Sequence, residues 1–155
     1  MGCRFFRFDR TSAQGLQSVV KLAIGSEVET IRFGESLGRS LKAGDLLLLY
    51  GELGAGKTTL VRGIARGIGY RGRVSSPTFA LAHMYRGGRL TLHHLDLYRL
   101  KAGETSELGL DELLADPRGA MVVEWPQAAW WPKRRWEIRL AHAKKGRTVE
   151  WTEPG

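Results

Sequence analysis

The chain has 155 residues, of which 43% are hydrophobic and 26% charged, and its formal net charge is +8. This length and composition are typical of one globular domain over residues 1–155, with no apolar run near the roughly 20 residues of a membrane helix and no signal peptide. The single cysteine, Cys3, excludes an internal disulfide and a cysteine-built metal site, so we expect a cytoplasmic protein without membrane contacts.

The positive charge falls in two groups. The larger group lies near the C-terminus and the smaller one near the middle of the chain: Lys133, Arg134, Arg135, Arg139, Lys144, Lys145 and Arg147, and then Arg62, Arg66, Arg71 and Arg73. Such an excess is typical of a protein that works near RNA or an acidic partner, and equally of a solvated basic surface.

The N-terminal part of the chain predicts one strand and one helix. Residues 1–14 mix phenylalanine with arginine and fit either an edge strand or a flexible extension of about 15 residues. Residues 18–24 are apolar enough for a strand. Ser26 followed by Glu29 is a capping-box pattern that opens a helix ending near residues 42–44. We expect this helix to bury Ile31, Phe33 and Leu37.

The most informative stretch is Gly51-Glu52-Leu53-Gly54-Ala55-Gly56-Lys57-Thr58-Thr59, which matches the P-loop pattern G-x-x-x-x-G-K-[ST]. An apolar run at residues 46–50 predicts a buried strand before it, and helical spacing over residues 59–68 predicts a helix after it. This strand–loop–helix order disfavours the alternative, a glycine-rich turn that matches by chance.

The residue types of this loop suit a triphosphate. Glycines allow the backbone N–H groups to approach phosphate, and a helix N-terminus adds further donors. Lys57 is expected to reach the β- and γ-phosphates, and the Thr58 hydroxyl to bind Mg²⁺. The predicted nucleotide-binding residues of the loop are Glu52, Leu53, Gly54, Ala55, Gly56, Lys57, Thr58 and Thr59.

After the loop, the chain alternates between loops and short strands. Residues 74–79 predict a Ser/Thr-rich loop, which is either a nucleotide-sensing switch or an ordinary polar turn. Residues 80–85 and 89–95 predict a β-hairpin. The fold class is therefore expected to be α/β, a three-layer fold of the P-loop NTPase type with a mixed, mostly parallel central sheet.

Two acids follow apolar runs, Asp96 after the second hairpin strand and Glu124 after a strand at residues 120–123. Such positions favour the ligand side of an open α/β sheet, where an acid binds Mg²⁺ or orients water. Aspartate also begins turns and caps helices, so Asp96 alone leaves both interpretations open.

The remaining segments predict smaller elements. Residues 104–108 and 111–115 favour short helices, and residues 135–140 and 147–151 favour closing strands. The C-terminal tryptophans are either packing residues or base-stacking platforms: Trp130, Trp131 and Trp136.

Four motifs, in this order and spacing, carry a resemblance that covers about residues 26–139. The P-loop, Ser-Pro-Thr-Phe at 76–79, His-Leu-Asp-Leu-Tyr-Arg at 94–99 and Val-Glu-Trp-Pro at 123–126 look like the TsaE family, also called YjeE. The first 15 residues and the basic C-terminal segment match no family pattern.

The resemblance implies a bacterial P-loop ATPase needed for the threonylcarbamoyladenosine modification of tRNA. In that family the transfer is made by TsaD with TsaB, and TsaE acts indirectly by binding that pair and coupling ATP hydrolysis to its turnover. The implied cofactors are ATP, with ADP as product, and Mg²⁺. The implied partners are homologues of TsaD and TsaB, with tRNA contacted indirectly or weakly through the basic C-terminal segment.

The resemblance also implies residue roles. Lys57 corresponds to the phosphate-binding lysine, Thr58 and Glu124 to the Mg²⁺ ligands, and Asp96 to an aspartate linked to hydrolysis that can also serve the metal. The remaining matches are the switch-like loop at Ser76, Pro77 and Thr78, the tryptophan beside the nucleotide at Trp125, and Thr30 near the adenine.

We therefore predict in-line attack of water on the γ-phosphate, with Lys57, Glu124 and Asp96 as the catalytic residues and Asp96 preferred for positioning the water. Arg99 is the candidate internal arginine finger. Hydrolysis is expected to be slow without partners. The alternatives are a nucleotide-gated binding module that needs no hydrolysis, and a small P-loop kinase.

Overall fold

The computed structural model describes residues 19–101, 103–127 and 131–155, so the two alternatives for residues 1–14 and the role of Trp130 lie outside the described residues. The elements are β1 (Val19–Ile24), α1 (Glu27–Ser40), β2 (Leu46–Tyr50), α2 (Lys57–Gly67), β3 (Ala82–Tyr85), β4 (Thr91–Asp96), a 3₁₀ helix (Glu104–Leu108), α3 (Leu110–Leu114), β5 (Gly119–Glu124), β6 (Trp136–His142) and β7 (Arg147–Thr152).

Within the described residues, seven strands form one sheet in the order β1-β7-β6-β2-β5-β4-β3. The central strand β2 is parallel to both β5 and β6, and β4 is parallel to β5. The pairs β1–β7, β6–β7 and β3–β4 are antiparallel. The predicted mixed α/β sheet and the hairpin are confirmed, with parallel pairing at the centre and an equal number of antiparallel pairs among these strands.

The sheet separates two apolar cores. Leu47 and Leu49 of β2 pack into the core beneath α1 and α2, and Leu46 and Leu48 pack into the core covered by α3 and the 3₁₀ helix. Successive side chains of a strand point to opposite faces, so a strand buried on both faces reads as an unbroken apolar run. This explains the four consecutive leucines and confirms the predicted three layers.

Helix α1 begins as the capping box predicts, because Ser26 Oγ accepts a hydrogen bond from the Glu29 N–H at 3.2 Å. The Glu29 carboxylate accepts in turn from the N–H of Gly25 rather than from that of Ser26. The helix ends at Ser40, and its buried face includes Phe33 and Leu37 but leaves Ile31 only half-buried.

Helices α1 and α2 pack through glycines spaced four residues apart on both helices, Gly34 and Gly38 facing Gly63 and Gly67. A Cβ added at Gly34 would lie 2.6 Å from the Leu60 carbonyl oxygen and 2.9 Å from the Gly63 Cα. The absence of side chains there lets the two backbones touch, which holds α2 against the sheet.

The basic C-terminal segment lies inside the sheet, since β6 is inserted between β7 and β2. Trp136, Ile138 and Leu140 alternate into the core, and Trp131 packs against the opposite core. Packing is therefore the role of these two tryptophans. Among the described residues, no helix is both long enough and apolar enough to span a bilayer.

Candidate functional site

A cleft of about 390 Å³ opens at the carboxyl ends of the central strands. The glycine loop (residues 51–56) follows β2, Asp96 ends β4 and Glu124 ends β5, and the last two residues are register partners. Parallel strands place their carboxyl ends at one edge of a sheet, which is the edge where ligands bind in open α/β folds. The cleft is lined by residues 53, 54 and 56–59 and by Ser76, Thr78, Asp96, Tyr98, Glu124, Trp125 and Arg147.

The glycine loop passes directly into α2. Gly56 caps the helix with φ of 102°, a left-handed conformation that strongly favours glycine. The helix starts at Lys57, so its first backbone N–H groups have no partner within the helix. The loop and the helix N-terminus together form an anion-binding surface.

Lys57 is buried, and its ammonium group contacts the backbone of the glycine loop. Nζ donates to the carbonyl oxygens of Gly51 at 2.6 Å and Glu52 at 2.9 Å, and it lies 4.0 Å from the centroid of the Trp125 ring. Burial lowers the pKa of Lys57 below its ordinary value, while the carboxylates of Glu124 and Asp96 act in the opposite direction. The cation is thus held next to the loop with carboxylates nearby.

Glu124 connects the end of β5 to the start of α2. Its carboxylate accepts a hydrogen bond from Thr58 Oγ1 at 3.0 Å, and its Oε1 lies 2.7 Å from Nε2 of the buried His94. Glu124 is itself only 3% exposed. A buried acid stays in place when its oxygens have donors, so Thr58 and His94 orient Glu124 in the cleft.

Trp125, the next residue, has φ of 54°, which is unusual for a residue with a bulky side chain. This turn of the backbone places its ring against Tyr98, with 4.8 Å between ring centroids, and beneath the Lys57 ammonium. The conformation therefore puts an aromatic wall on one side of the cleft.

Asp96 ties the Ser/Thr loop to the cleft. Its Oδ2 accepts hydrogen bonds from Ser76 Oγ and Thr78 Oγ1, both at 3.1 Å, and its Oδ1 accepts from the Tyr98 N–H at 2.9 Å. The last bond is an Asx-type turn, so the aspartate both shapes the chain after β4 and holds the loop. Replacing or moving this carboxylate would therefore remove two hydrogen bonds that hold the Ser76–Thr78 segment.

Other residues singled out from the sequence lie elsewhere. Thr30 is buried in α1 and donates to the Ser26 carbonyl oxygen, and it is not among the cleft-lining residues. Ala55 is fully buried, and Glu52 lines a separate, mostly apolar groove beside the cleft. The Arg99 guanidinium stacks 4.2 Å from the centroid of the Phe79 ring and does not line the cleft.

Two residues of this region were missed from the sequence. His94 stands two positions before Asp96, so strand alternation already placed it on the same face as that acid. Arg147 enters from β7, whose position beside the glycine loop could not be read from local patterns.

The donors of the cleft fit a magnesium ion. Mg²⁺ is usually bound through one or two carboxylates together with waters and phosphate oxygens. Thr58 and Glu124 are in contact, and Asp96 lies in the same cleft, so all three are oxygen donors of the required kind. Among the described residues, no group of three or more His, Cys, Asp or Glu side chains forms a metal site built from protein alone.

Comparison with known proteins gives a consistent picture. The model of the family described as "Threonylcarbamoyl adenosine biosynthesis protein TsaE" matches residues 24–149. Curated relatives named "tRNA threonylcarbamoyladenosine biosynthesis protein TsaE" include those of Synechocystis sp., 44% identical over 63% of this chain, and Streptomyces coelicolor, 51% identical over 59% of this chain. Each of these matches spans 64% of the relative's own length.

The crystal structure of Bacillus subtilis YdiB superposes with a TM-score of 0.78 at 30% identity, over 92% of this chain and 90% of that chain. The similarity thus extends over most of the chain, in agreement with the predicted P-loop NTPase type of fold. The matched residues 24–149 include all four motifs that the sequence singled out. The chain therefore belongs to the TsaE family, whose members take part in threonylcarbamoyladenosine biosynthesis.

Proposed function

We propose that this protein is an Mg²⁺-dependent ATPase that supports threonylcarbamoyladenosine modification of tRNA by acting on homologues of TsaD and TsaB. The observation that carries the proposal is the meeting of Lys57, Thr58 and Glu124 at the glycine loop. Phosphate needs converging N–H donors and a cation, and the metal needs oxygen ligands opposite them. The cleft contains both the phosphate-binding groups and the oxygen ligands for the metal.

Each residue has a proposed task. The loop N–H groups and the start of α2 bind the phosphate chain, and Lys57 exchanges the carbonyls of Gly51 and Glu52 for the β- and γ-phosphates. Thr58 and Glu124 would hold Mg²⁺, which when bound would neutralise charge on the phosphate oxygens. Asp96 accepts a hydrogen bond from the attacking water and so orients it for in-line attack.

The Ser76–Thr78 segment is proposed as the point of control. Its two hydroxyls occupy one oxygen of Asp96, an acid assigned to water positioning. Hydrolysis is therefore slow until this segment is rearranged. Apolar side chains border the same region, since Leu53 is 73% and Phe79 85% exposed, and this fits a protein partner that contacts the loops around the nucleotide.

The test is an ATPase assay of the purified protein alone, with TsaD–TsaB, and with TsaD–TsaB plus tRNA. We expect slow hydrolysis alone and faster hydrolysis with the partners. The Lys57→Ala variant should lose most of its ATP affinity, and Glu124→Ala should bind ATP but hydrolyse it at least about a hundredfold more slowly. Equal turnover with and without partners would contradict control through the loop.

The same preparation separates the alternatives. If Glu124→Ala still supports tRNA modification in a reconstituted system, hydrolysis is not needed and the protein is a nucleotide-gated binding module. If labelled ATP transfers its γ-phosphate to a molecule other than water, the protein is a kinase. Release of inorganic phosphate by wild type, together with loss of tRNA modification in Glu124→Ala, supports the ATPase.

A further inference from the structure

Arg147 differs from the other arginines of the C-terminal segment. Arg134, Arg135 and Arg139 each lie within 4.0 Å of a carboxylate, either Asp45 or Glu137. Arg147 forms no such ion pair in the part of the chain that the structure describes, and it lines the cleft. Its guanidinium therefore faces the cleft without a carboxylate of the described residues within ion-pair distance.

The position of Arg147 follows from the sheet. It is the first residue of β7 and pairs with Ile24 of β1 and His142 of β6. From there its Nη2 donates to the Gly54 carbonyl oxygen at 3.0 Å, and its guanidinium carbon lies 3.5 Å from where a Cβ of Gly56 would be. The guanidinium thus packs directly on the glycine loop.

Several N–H groups of this guanidinium have no hydrogen-bond partner among the described residues. An arginine has five N–H groups, and the loop carbonyl uses one of them. Nε is buried and has no hydrogen-bond partner among the described residues. The guanidinium belongs to a side chain that lines the cleft, and the ligand expected beside this loop is an anion.

We propose that Arg147 is a second nucleotide-binding cation, which contacts the phosphate chain of a nucleoside di- or triphosphate while it holds the loop at Gly54. The proposal rests on the proposed function, because it assumes a nucleotide in the cleft. Guanidinium groups suit this task, since their planar donors can bind a loop carbonyl and a phosphate oxygen at once. Lys57 and Arg147 are the two cationic side chains among the described residues that line this cleft.

The experiment compares dissociation constants for ATP, ADP and inorganic tripolyphosphate in wild type, Arg147→Ala, Arg147→Lys and Arg139→Ala. We expect Arg147→Ala to weaken all three about 10- to 100-fold, the usual size for losing a charged hydrogen bond. Arg147→Lys should recover part of the affinity. Arg139→Ala is the matched control on the neighbouring strand and should stay within about twofold of wild type.

The salt dependence of binding separates direct contact from support of the loop. A residue that pairs with phosphate adds to the slope of the dissociation constant against salt, so the slope should fall in Arg147→Ala and be retained in Arg147→Lys. Unchanged affinity in Arg147→Ala would overturn the proposal. So would weaker binding with an unchanged salt slope and a lower melting temperature without ligand, because the arginine would then only support the loop.

The failure of this inference is distinguishable from that of the proposed function. If wild type binds ATP, Lys57→Ala does not, and Arg147→Ala equals wild type, only the role of Arg147 is wrong. If wild type binds neither ATP nor ADP, the nucleotide site itself is wrong and the role of Arg147 fails with it.

Discussion

Replacing Gly34 with alanine places a methyl group between helices α1 and α2. In the native packing this group would lie 2.6 Å from the Leu60 carbonyl oxygen and 2.9 Å from the backbone of Gly63. Ordinary van der Waals contact begins at 3.4 Å, so the helices would have to separate by about 0.8 Å. The obstacle is backbone, which cannot rotate away as a side chain would.

The net effect combines two opposing terms. Overpacking of a filled core costs about 1–3 kcal/mol, and a backbone obstacle belongs in the upper half of that range. The higher helix propensity of alanine relative to glycine offsets about 1 kcal/mol of this cost. We therefore expect Gly34→Ala to lower the free energy of unfolding by about 1–2 kcal/mol, which for a chain of this size lowers the Tm by about 2–8 °C.

Urea and thermal unfolding followed by circular dichroism measure this difference. Arg32→Ala is the matched control, because Arg32 is exposed on the same helix and its replacement should change stability by less than about 0.5 kcal/mol. A Gly34→Ala protein that melts at or above the wild-type temperature would refute the close glycine packing, since only the helix propensity gain would then remain.

Three further outcomes are expected. Lys57→Ala should abolish most ATP binding measured by calorimetry and leave the far-ultraviolet circular dichroism spectrum unchanged, because its charge serves the ligand. His94→Ala should lower the ATPase rate about tenfold or more with a smaller change in ATP affinity, because Glu124 loses the hydrogen-bond donor at its Oε1. His94→Gln should recover part of the rate. Equal ATPase rates in the two variants would contradict the role of His94 as a donor to Glu124. A hydrogen bond from the Arg118 N–H lowers the pKa of Asp116 in the folded state. The ionised carboxylate therefore stabilises the fold above the ordinary pKa of 3.8, and this stabilisation is lost as the pH falls through the lowered folded-state pKa. Asp116→Asn should be less stable than wild type near neutral pH, and the two proteins should converge in unfolding curves measured in acid.

Local patterns were sufficient for much of the fold and part of the cleft. The run Leu46–Tyr50 and the glycine loop after it specify their own conformations, because burial on both faces and left-handed glycines leave a signature in a few consecutive residues. Asp96 and Glu124 were placed correctly at one edge, since acids that end parallel strands share that edge.

Other contacts depended on pairing between distant strands. The C-terminal segment looks like a basic tail in the sequence, but its strand β6 lies inside the sheet between β2 and β7. This arrangement places Arg147 of β7 next to the glycine loop. The link from Glu124 to His94 joins side chains 30 residues apart and needs β4 next to β5. The Thr30 hydroxyl is used within α1, because it donates a hydrogen bond to the Ser26 carbonyl oxygen one turn earlier.

The amino-acid sequence alone determined the strand–loop–helix unit, the hairpin, the capped first helix and the residue types of the cleft, because each rests on interactions among near neighbours. The tertiary structure decided which strands are adjacent, that α1 and α2 meet through glycines, and which charged side chains face the cleft. The physical reason is that periodicity specifies which face of an element is buried, whereas the identity of the partner element depends on packing between segments far apart in the chain.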